Sequence, residues 1–184
     1  MLKQKLSAIL LSLLCTAVTL PAAAMPETTG QSIEVGFSPD GTAEALVLRS
    51  IASARRSVRL AAYSFTSPKV VRAMLDAKKR GVDVAVVVDY KHNNSSKAAR
   101  AALNLLVNEG IPTRTIDAYA IQHSKYAVID GLHVQTGSYN YSDAAANKNS
   151  ENALVIWNRR DLANAYNKNW QWLFDQGRPY VSSY

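Results

Sequence analysis

Hydrophobic and polar positions alternate along "SIEVGFS", Ser32–Ser38, and this alternation predicts a strand with one buried face. Two nearly continuous apolar runs, 58–65 and 82–90, predict strands that are buried on both faces of a sheet. Between them, apolar residues recur at helical spacing from Ser67-Pro68 onward, and a glycine ends the segment. Residues 58–89 therefore predict one β-α-β unit with parallel strands.

The rest of the chain continues to mix helical and strand patterns. We predict a helix directly after the first strand, further helices over 95–110 and 161–177, and strands over 111–117 and 151–158. The last helix carries an apolar stripe that predicts core packing rather than a ligand site: Leu162, Tyr166, Trp170 and Leu173. We find no linker, repeat or low-complexity segment inside the chain. The pattern therefore predicts one α/β domain, residues 25–184, with a mixed, largely parallel β-sheet flanked by helices on both faces.

The first 24 residues have the three parts of a secretory signal peptide. Lys3 and Lys5 form a basic start, residues 6–20 an apolar core, and Ala22-Ala23-Ala24 a small-residue cleavage site. A membrane anchor is the alternative, but the core is short for a span of about 20 residues. We predict cleavage after Ala24 or one of the two preceding alanines. The mature protein is then periplasmic or secreted and keeps no stable membrane anchor.

Charge and cysteine content narrow the chemistry of the mature protein. The full chain has a formal net charge of +7, and removal of Lys3 and Lys5 leaves +5. A basic balance favours nucleic acid, anionic lipid headgroups or phosphorylated substrates, and the charge alone does not choose among them. The sole cysteine, Cys15, lies in the predicted signal peptide, so the mature domain has no disulfide and no cysteine metal site.

The stretch "IQHSKYAVIDGLHVQTGSYNYSD", residues 121–143, predicts a hairpin around the turn Asp130-Gly131. A two-residue loop sets a register that pairs Ile129 with Leu132, Ala127 with Val134, Lys125 with Thr136, and His123 with Ser138. Directly paired residues share a face, while Asp130 lies in the turn away from it. One face of the ribbon is therefore predicted to carry His123, Lys125, Ser138 and, two residues further on, Asn140.

This set of side chains suits chemistry on a phosphate group. A neutral imidazole is a nucleophile or a base, an ammonium binds phosphate, and hydroxyl and amide groups add hydrogen-bond donors. The sequence places no carboxylate or histidine cluster nearby for a divalent metal, so we predict a site without metal or cofactor. The alternative is a solvated polar face, although the opposite face is not cleanly apolar. His92 and His133 are predicted to be surface residues.

The spacing His123-x-Lys125, four residues, Asp130, six residues, Gly137-Ser138-x-Asn140 resembles the HKD signature of the phospholipase D superfamily. Six defined positions at fixed spacing make the resemblance specific, and the predicted elements extend it over 32–176. Glu151, thirteen residues after Ser138, resembles the acidic residue that orients the histidine in this family. The small size, single motif and export signal are most similar to the bacterial Nuc-type periplasmic endonucleases.

The resemblance implies a symmetric homodimer, because enzymes of the family use two motifs and this chain has one. It implies that His123 of one subunit forms a phosphohistidine and that the second His123 protonates the leaving oxygen. Lys125, Ser138 and Asn140 would hold the phosphate, and Glu151 would orient His123, with Asp130 and Gly137 as structural residues of the motif. Without the resemblance, Glu151 is better explained as a polar residue at the entry of a strand.

The leading functional hypothesis is a nonspecific endonuclease that hydrolyses DNA, with RNA as a second substrate. Contacts made only to the backbone of a polyanion give no sequence preference. Candidate contacts are Arg55, Arg56, Arg59, Lys91 and Lys97, which are equally interpreted as solvated surface residues. The first alternative is a phospholipase D or phosphatidyl transferase, although no exposed amphipathic stretch follows the signal. The second is a phosphate-binding module without catalysis, which has no need of a nucleophilic imidazole.

Overall fold

A computed structural model describes residues 30–182 of the chain, so the predicted signal peptide and its cleavage site lie outside the described residues. Eight strands and six helices occur within this range. The strands are β1 (Ser32–Ser38), β2 (Ser57–Ala62), β3 (Asp83–Asp89), β4 (Thr113–Ile116), β5 (Tyr126–Ile129), β6 (His133–Gly137), β7 (Glu151–Trp157) and β8 (Arg178–Pro179). The helices are α1 (Thr42–Ala52), α2 (Pro68–Lys79), α3 (Tyr90–Ser95), α4 (Lys97–Asn108), α5 (Asp143–Asn147) and α6 (Arg160–Gln176).

The strands form one mixed sheet in the order β1-β7-β6-β5-β2-β3-β4-β8. Parallel pairing joins β2 to β3, as the predicted β-α-β unit requires, and it also joins β3 to β4. The other neighbours in the described sheet are antiparallel, so the prediction of a largely parallel sheet is wrong. The antiparallel half arises because the β5-β6 hairpin adds to β2, and β7 then pairs with both β6 and the distant β1.

Helices cover both faces of the sheet, as predicted. On one face, α1, α2 and α4 bury a large apolar cluster against the central strands, with Leu60, Val86 and Ile129 among its fully covered residues. The opposite face packs a smaller cluster under α6, which includes Trp170 and Leu173. Trp170 also donates a hydrogen bond from Nε1 to the carbonyl of Leu60 at 2.9 Å, so α6 is fixed directly to the sheet backbone.

Local hydrogen bonds explain where several elements begin and end. The Ser67 hydroxyl accepts from Val70 N at the start of α2, with Pro68 in the first helical position, as the sequence predicts. The apolar run 82–90 does not remain a strand to its end, because the Asp89 carboxylate caps the short helix α3 by accepting from His92 N at 2.8 Å. Predicted strand 58–65 likewise ends early, at Ala62.

One part of the α6 side of the sheet is left uncovered. Ile33, Val35 and Phe37 alternate along the edge strand β1 and are 67%, 53% and 53% exposed. Their neighbours across the β1-β7 ladder include Ile156 and Leu154, which are half-buried. We call Ile33, Val35, Phe37, Leu154 and Ile156 the apolar β1 face. Among residues 30–182, no helix is long and apolar enough to cross a bilayer.

Candidate active site

A cavity of about 720 Å³ lies between the start of the β5-β6 hairpin and helix α6. It collects every residue that the sequence assigned to chemistry, whereas Asp130, which the sequence assigned a structural role, lies outside it. Its lining consists of His123, Ser124, Lys125, Tyr126, Thr136, Gly137, Ser138, Asn140, Glu151, Ala165, Tyr166 and Asn169. The structure therefore brings the predicted imidazole, ammonium, hydroxyl, amide and carboxylate to one place.

The hairpin reaches this arrangement with a register that differs by one residue from the predicted one. The Asp130-Gly131 turn is present, with φ of 57° and 63° and a hydrogen bond from Leu132 N to Ile129 O at 3.0 Å. The ladder then pairs Ile129 with His133 rather than with Leu132, and Tyr126 with Thr136. Leu132 is left out because its carbonyl accepts from Arg159 N at 2.9 Å, just before α6. The predicted His123–Ser138 and Lys125–Thr136 pairs are therefore wrong.

The site survives this slip because residues 121–125 are not part of the ladder. A one-residue shift would turn side chains to the opposite face only within a regular strand. The segment is fixed instead by the buried Asp89, whose Oδ2 accepts from Gln122 N at 2.8 Å. The same carboxylate caps α3, so one buried acid sets both the helix and the segment that carries His123.

Lys125 is 7% exposed, although it carries a charged group. Its Nζ donates to the His123 carbonyl at 2.6 Å and lies 5.5 Å from the centre of the Tyr63 ring. Burial lowers the pKa of Lys125 from its ordinary value of 10.5, and the negative charge of Glu151 opposes that shift. A desolvated ammonium interacts more strongly with an incoming anion than an exposed one does.

The ring of His123 is exposed and packs against Tyr63, with ring centroids 4.7 Å apart. Tyr63 in turn contacts the ring of His92 at 4.4 Å. His92 is half-buried, so the prediction that it is an ordinary surface residue is wrong. The prediction for His133 is also wrong, because its Nδ1 accepts from Asn158 N at 3.0 Å in a half-buried position beside Trp157.

Two buried tyrosines hold the segment after β6. Tyr139 and Tyr141 are fully covered and alternate with Ser138 and Asn140, which both line the cavity. The Tyr141 hydroxyl donates to Gln135 Oε1 at 2.7 Å, and its carbonyl accepts from the backbone N–H groups of residues 66 and 67. Ser138 Oγ accepts from Asn152 N at 3.0 Å. Asn140 Oδ1 is buried without a hydrogen-bond partner among the described residues.

Gly137 is required by close backbone packing at the edge of the cavity. A Cβ at this position would lie 2.4 Å from Asn152 O and 3.1 Å from Ala153 Cα. Its φ of 147° is also one that other residues rarely adopt. The glycine of the motif therefore allows β6 and β7 to approach each other immediately before Ser138.

Asp130 stands at the other end of the hairpin, as predicted, and contacts the backbone before and at the start of β2. Its carboxylate accepts from the N–H groups of Arg55, Arg56 and Ser57, at 2.7 Å from Arg56 N. Burial alone would raise the pKa of Asp130, but the hydrogen bonds from the backbone outweigh it and hold the pKa below 3.8. The carboxylate thus joins the turn to the central strand.

Glu151 lines the cavity and is the first residue of β7. Its Oε1 accepts from Asn149 Nδ2 at 3.0 Å, and within residues 30–182 no hydrogen bond joins it to His123. Glu151 is therefore both a polar residue at the entry of a strand, as one interpretation predicts, and a residue of the cavity wall. The orienting role that the resemblance implies stays a prediction.

The predicted nucleic-acid contacts separate into two groups. Arg55, Arg56 and Arg59 lie at the amino end of β2, beside the Asp130 turn, whereas the cavity lies at its other end, roughly 20 Å away for a strand of this length. Arg59 is also engaged in an ion pair with Asp83. Lys91 and Lys97 are exposed, in α3 and at the start of α4, and Lys91 directly precedes His92.

Sequence reasoning missed Tyr63, His92 and Asp89, which hold or contact the segment of His123. Their signal was their place in the chain, because they follow or end the parallel strands β2 and β3, whose carboxyl ends form ligand sites in open α/β sheets. It also missed Tyr166 and Asn169 of α6, which line the cavity. Tyr166 packs against the core cluster under α6, as the sequence predicts, but it is only half-buried and also lines the cavity. No group of three or more histidine, cysteine or acidic residues among 30–182 is placed to hold a metal ion.

Comparison with known proteins agrees with this geometry. The family described as "Cardiolipin synthase, PLD-like domain" matches residues 47–174. The crystal structure of Nuc from Salmonella typhimurium, a phospholipase D family member, superposes with a TM-score of 0.81 at 49% identity, covering 83% of this chain and 99% of Nuc. NucT from Helicobacter pylori has the same fold, with a TM-score of 0.71 at 24% identity over 82% of this chain and 99% of its own.

Relatives with a stated name point to phosphodiester chemistry as well. A phospholipase D of Rickettsia bellii is 31% identical over 134 residues, and a mitochondrial cardiolipin hydrolase of Xenopus laevis is 32% identical over 133 residues. The matches cover 73% and 72% of this chain but only 65% and 61% of those two relatives. The predicted family is confirmed: the chain belongs to the phospholipase D superfamily, and it is a phosphodiesterase of that superfamily.

Proposed function

We propose that the protein is a nonspecific endonuclease that hydrolyses DNA, with RNA as a second substrate, through a phosphohistidine and without a metal. The observation that carries the proposal is the cavity in which His123 is exposed beside the buried ammonium of Lys125. The 49% identity to Nuc over nearly all of that protein supports the nuclease activity over other activities of the superfamily. The formal charge of +5 that remains after removal of Lys3 and Lys5 from the full chain's +7 suits a polyanionic substrate.

In the proposed first step, an imidazole nitrogen of His123 attacks phosphorus, and a P–N bond forms as the P–O bond to the leaving group breaks. A second imidazole donates a proton to the leaving oxygen. In the next step that second imidazole takes a proton from water, whose oxygen attacks phosphorus and displaces His123. Lys125 and Asn140 hold the non-bridging oxygens, where transition-state charge is best stabilised by fixed donors. Ser138 adds a hydrogen bond to the phosphate, and Glu151 orients His123.

We further propose that the second imidazole is His123 of a second copy, in a symmetric homodimer. One histidine cannot stand on both sides of phosphorus at once, and a two-fold axis supplies the other. The apolar β1 face supports this arrangement because it continues into the cavity: Leu154 pairs with Thr136, which lines the cavity. An exposed edge strand with three large apolar side chains is a surface that proteins normally cover.

The proposed location is the periplasm or the medium, after removal of residues 1–24. The support comes from the sequence of that segment, with its basic start, apolar core and small residues at the end. Amino-terminal sequencing of protein recovered from the periplasm gives the cleavage site directly. Recovery of the full-length chain from the membrane fraction would contradict the proposal.

The experiment that tests the nuclease proposal is digestion of plasmid DNA in excess EDTA. We expect the wild-type protein to nick and fragment the plasmid undiminished. We expect His123→Ala to abolish cleavage while the variant remains a folded dimer. Intact plasmid with the wild-type protein in EDTA would refute the proposed metal-free nuclease. Unchanged cleavage by His123→Ala would instead show that the cavity is not the site.

A phospholipase or phosphatidyl transferase is the second candidate, because two relatives bear the names phospholipase D and mitochondrial cardiolipin hydrolase. Both activities use the same phosphate site and differ in what surrounds it. Release of headgroups from phosphatidylcholine or cardiolipin vesicles, compared with DNA cleavage at equal protein concentration, separates the two. A phosphate-binding module without catalysis would fail both assays.

A further inference from the structure

A second, smaller cavity of about 290 Å³ adjoins the candidate active site. The two cavities share His123, Ser124 and Asn169, so a ligand in one lies directly beside a group bound in the other. The walls that belong to the smaller cavity alone are Tyr119, Ile121, Gln122, Trp172 and Leu173. The phosphate chemistry described above uses none of these five residues.

The mouth of this cavity is apolar and aromatic. Trp172 is 54% exposed and Ile121 51% exposed, whereas Trp170 and Leu173 on the same helix are buried. The ring centroids of Trp172 and Tyr119 are 5.9 Å apart, with 53° between the planes, so the two rings are in tilted contact and form one aromatic surface. Exposed aromatic rings beside a phosphate site are the surfaces on which unpaired nucleobases stack.

The floor of the cavity is polar and lacks partners. Gln122 is 3% exposed, and neither its Oε1 nor its Nε2 has a hydrogen-bond partner among the described residues. The Tyr119 hydroxyl is buried without a partner too. A buried amide with a free donor and a free acceptor is unfavourable by itself, and it matches the paired donors and acceptors on the edge of a base. Within residues 30–182 no hydrogen bond ties the Gln122 side chain, so both amide groups keep their capacity to bond to a ligand in the cavity.

We propose that this cavity is a subsite for one unpaired base of a nucleic-acid strand, next to the phosphate that the enzyme cleaves. The base stacks on Trp172 and Tyr119, and Gln122 contacts its edge. Because a base can enter only when it is unpaired, single-stranded nucleic acid is the better substrate. An acyl chain would leave the amide of Gln122 unpaired, which favours a base over a lipid. The inference rests on the proposed nuclease function.

The test compares Trp172→Ala with the control Leu105→Ala, an apolar side chain 48% exposed on α4, outside the lining of both cavities. The substrates are a single-stranded oligonucleotide and the same backbone with abasic nucleotides. We expect Trp172→Ala to lose roughly 5- to 150-fold in kcat/KM on the normal strand, the range that stacking supports. On the abasic strand we expect no change. Leu105→Ala should match the wild type on both.

Binding is measured separately from cleavage. In the His123→Ala background, titration with the single-stranded oligonucleotide should quench tryptophan fluorescence, and the abasic strand should not. Trp172→Phe added to that background should remove the quenching and keep the affinity. Gln122→Met should preserve or raise the thermal stability, because an unpaired buried amide is replaced by an apolar side chain, while rates at the four bases become more equal.

Three results would overturn the subsite. The first is an equal loss for Trp172→Ala on normal and abasic strands. The second is conversion of Trp172→Ala to a monomer in sedimentation, which would make the surface an interface. The third is a Trp172→Ala variant that loses hydrolysis of phosphatidylcholine or cardiolipin vesicles while its DNA cleavage is unchanged. If the wild type cleaves no nucleic acid, the proposed function is wrong, and the fluorescence titration alone then tests the subsite. Quenching that requires bases would support the subsite, and absence of such quenching would refute it.

Discussion

At the scale of single residues, the candidate site depends on a charged side chain that is held away from water. Lys125 keeps an ammonium at 7% exposure, beside Glu151 and against the face of Tyr63. The hydrogen bond that its Nζ donates to the His123 carbonyl fixes the cation to the segment that carries the imidazole. The arrangement has the properties of a preorganised charge, which needs no reorientation when a phosphate arrives.

Replacing Lys125 by Met should remove this charge with little loss of packing. We expect kcat on DNA to fall about 100- to 1,000-fold, the cost of removing one fixed transition-state donor, with the folded structure retained because no charge remains buried. Steady-state kinetics and circular dichroism give the two readouts. Lys79→Met, at an exposed cation at the end of α2, is the matched control and should change kcat by little. A rise in KM alone, with kcat unchanged, would contradict this role for Lys125.

Asp130→Asn tests the structural acid of the motif. We expect the free energy of unfolding to fall by about 1–2 kcal/mol at pH 7, because three backbone N–H groups lose a charged acceptor. The folded-state pKa of Asp130 lies below 3.8, so its contribution is present above the unfolded pKa and disappears as the pH falls through the lower folded value. The difference between wild type and variant should therefore shrink in urea unfolding at acid pH.

Asp175→Asn provides the comparison for that experiment, because this exposed carboxylate receives one side-chain hydrogen bond, from Gln171. Its stability should match the wild type at every pH. If Asp130→Asn lost as much stability at pH 3 as at pH 7, the carboxylate charge would not be the stabilising feature.

At the scale of elements, the sequence predicts most of the fold and misplaces the hairpin by one residue. Apolar runs, caps and glycines locate the β-α-β unit because those signals are local. The register fails because Leu132 bonds to Arg159, a contact that no local pattern encodes. The largely parallel sheet fails for the same reason, since β1 pairs with β7 across most of the chain. Residue types and spacing predict side chains that the structure brings into one cavity, but not the support of that cavity by Asp89 and Tyr63.

Gly137→Ala tests whether the junction of β6 and β7 needs the glycine. The new Cβ would lie 2.4 Å from Asn152 O, and φ of 147° adds backbone strain, so one of the two strands must move. We expect a loss of about 1–3 kcal/mol in stability and a large fall in kcat, because Ser138 follows directly. Thermal melting and plasmid digestion measure both. Gly30→Ala, where a Cβ meets nothing within 4 Å, should leave them unchanged. A fully stable, fully active Gly137→Ala would refute the packing argument.

At the scale of the whole molecule, two surfaces have no covering among the described residues. The apolar β1 face borders the cavity, and the aromatic mouth of the smaller cavity lies on its α6 side. A reaction that needs two imidazoles gives the first surface a partner, and a strand with unpaired bases gives the second surface a ligand. These assignments are independent, because losing the dimer abolishes all cleavage while losing the base subsite affects only substrates with bases.

Mixing subunits tests the shared site quantitatively. If both copies of His123 serve one site, wild-type chains paired with His123→Ala chains are inactive. Refolding equal amounts of the two should then leave about a quarter of the activity, because only dimers of two wild-type chains work; independent sites would leave about half. Activity plotted against the wild-type fraction should follow a square, and a straight line would refute the shared site. Val35→Asp, on the apolar β1 face, should give the mass of a monomer in sedimentation and no cleavage. Leu105→Asp, at a similarly exposed position, should keep the dimer mass and the cleavage activity.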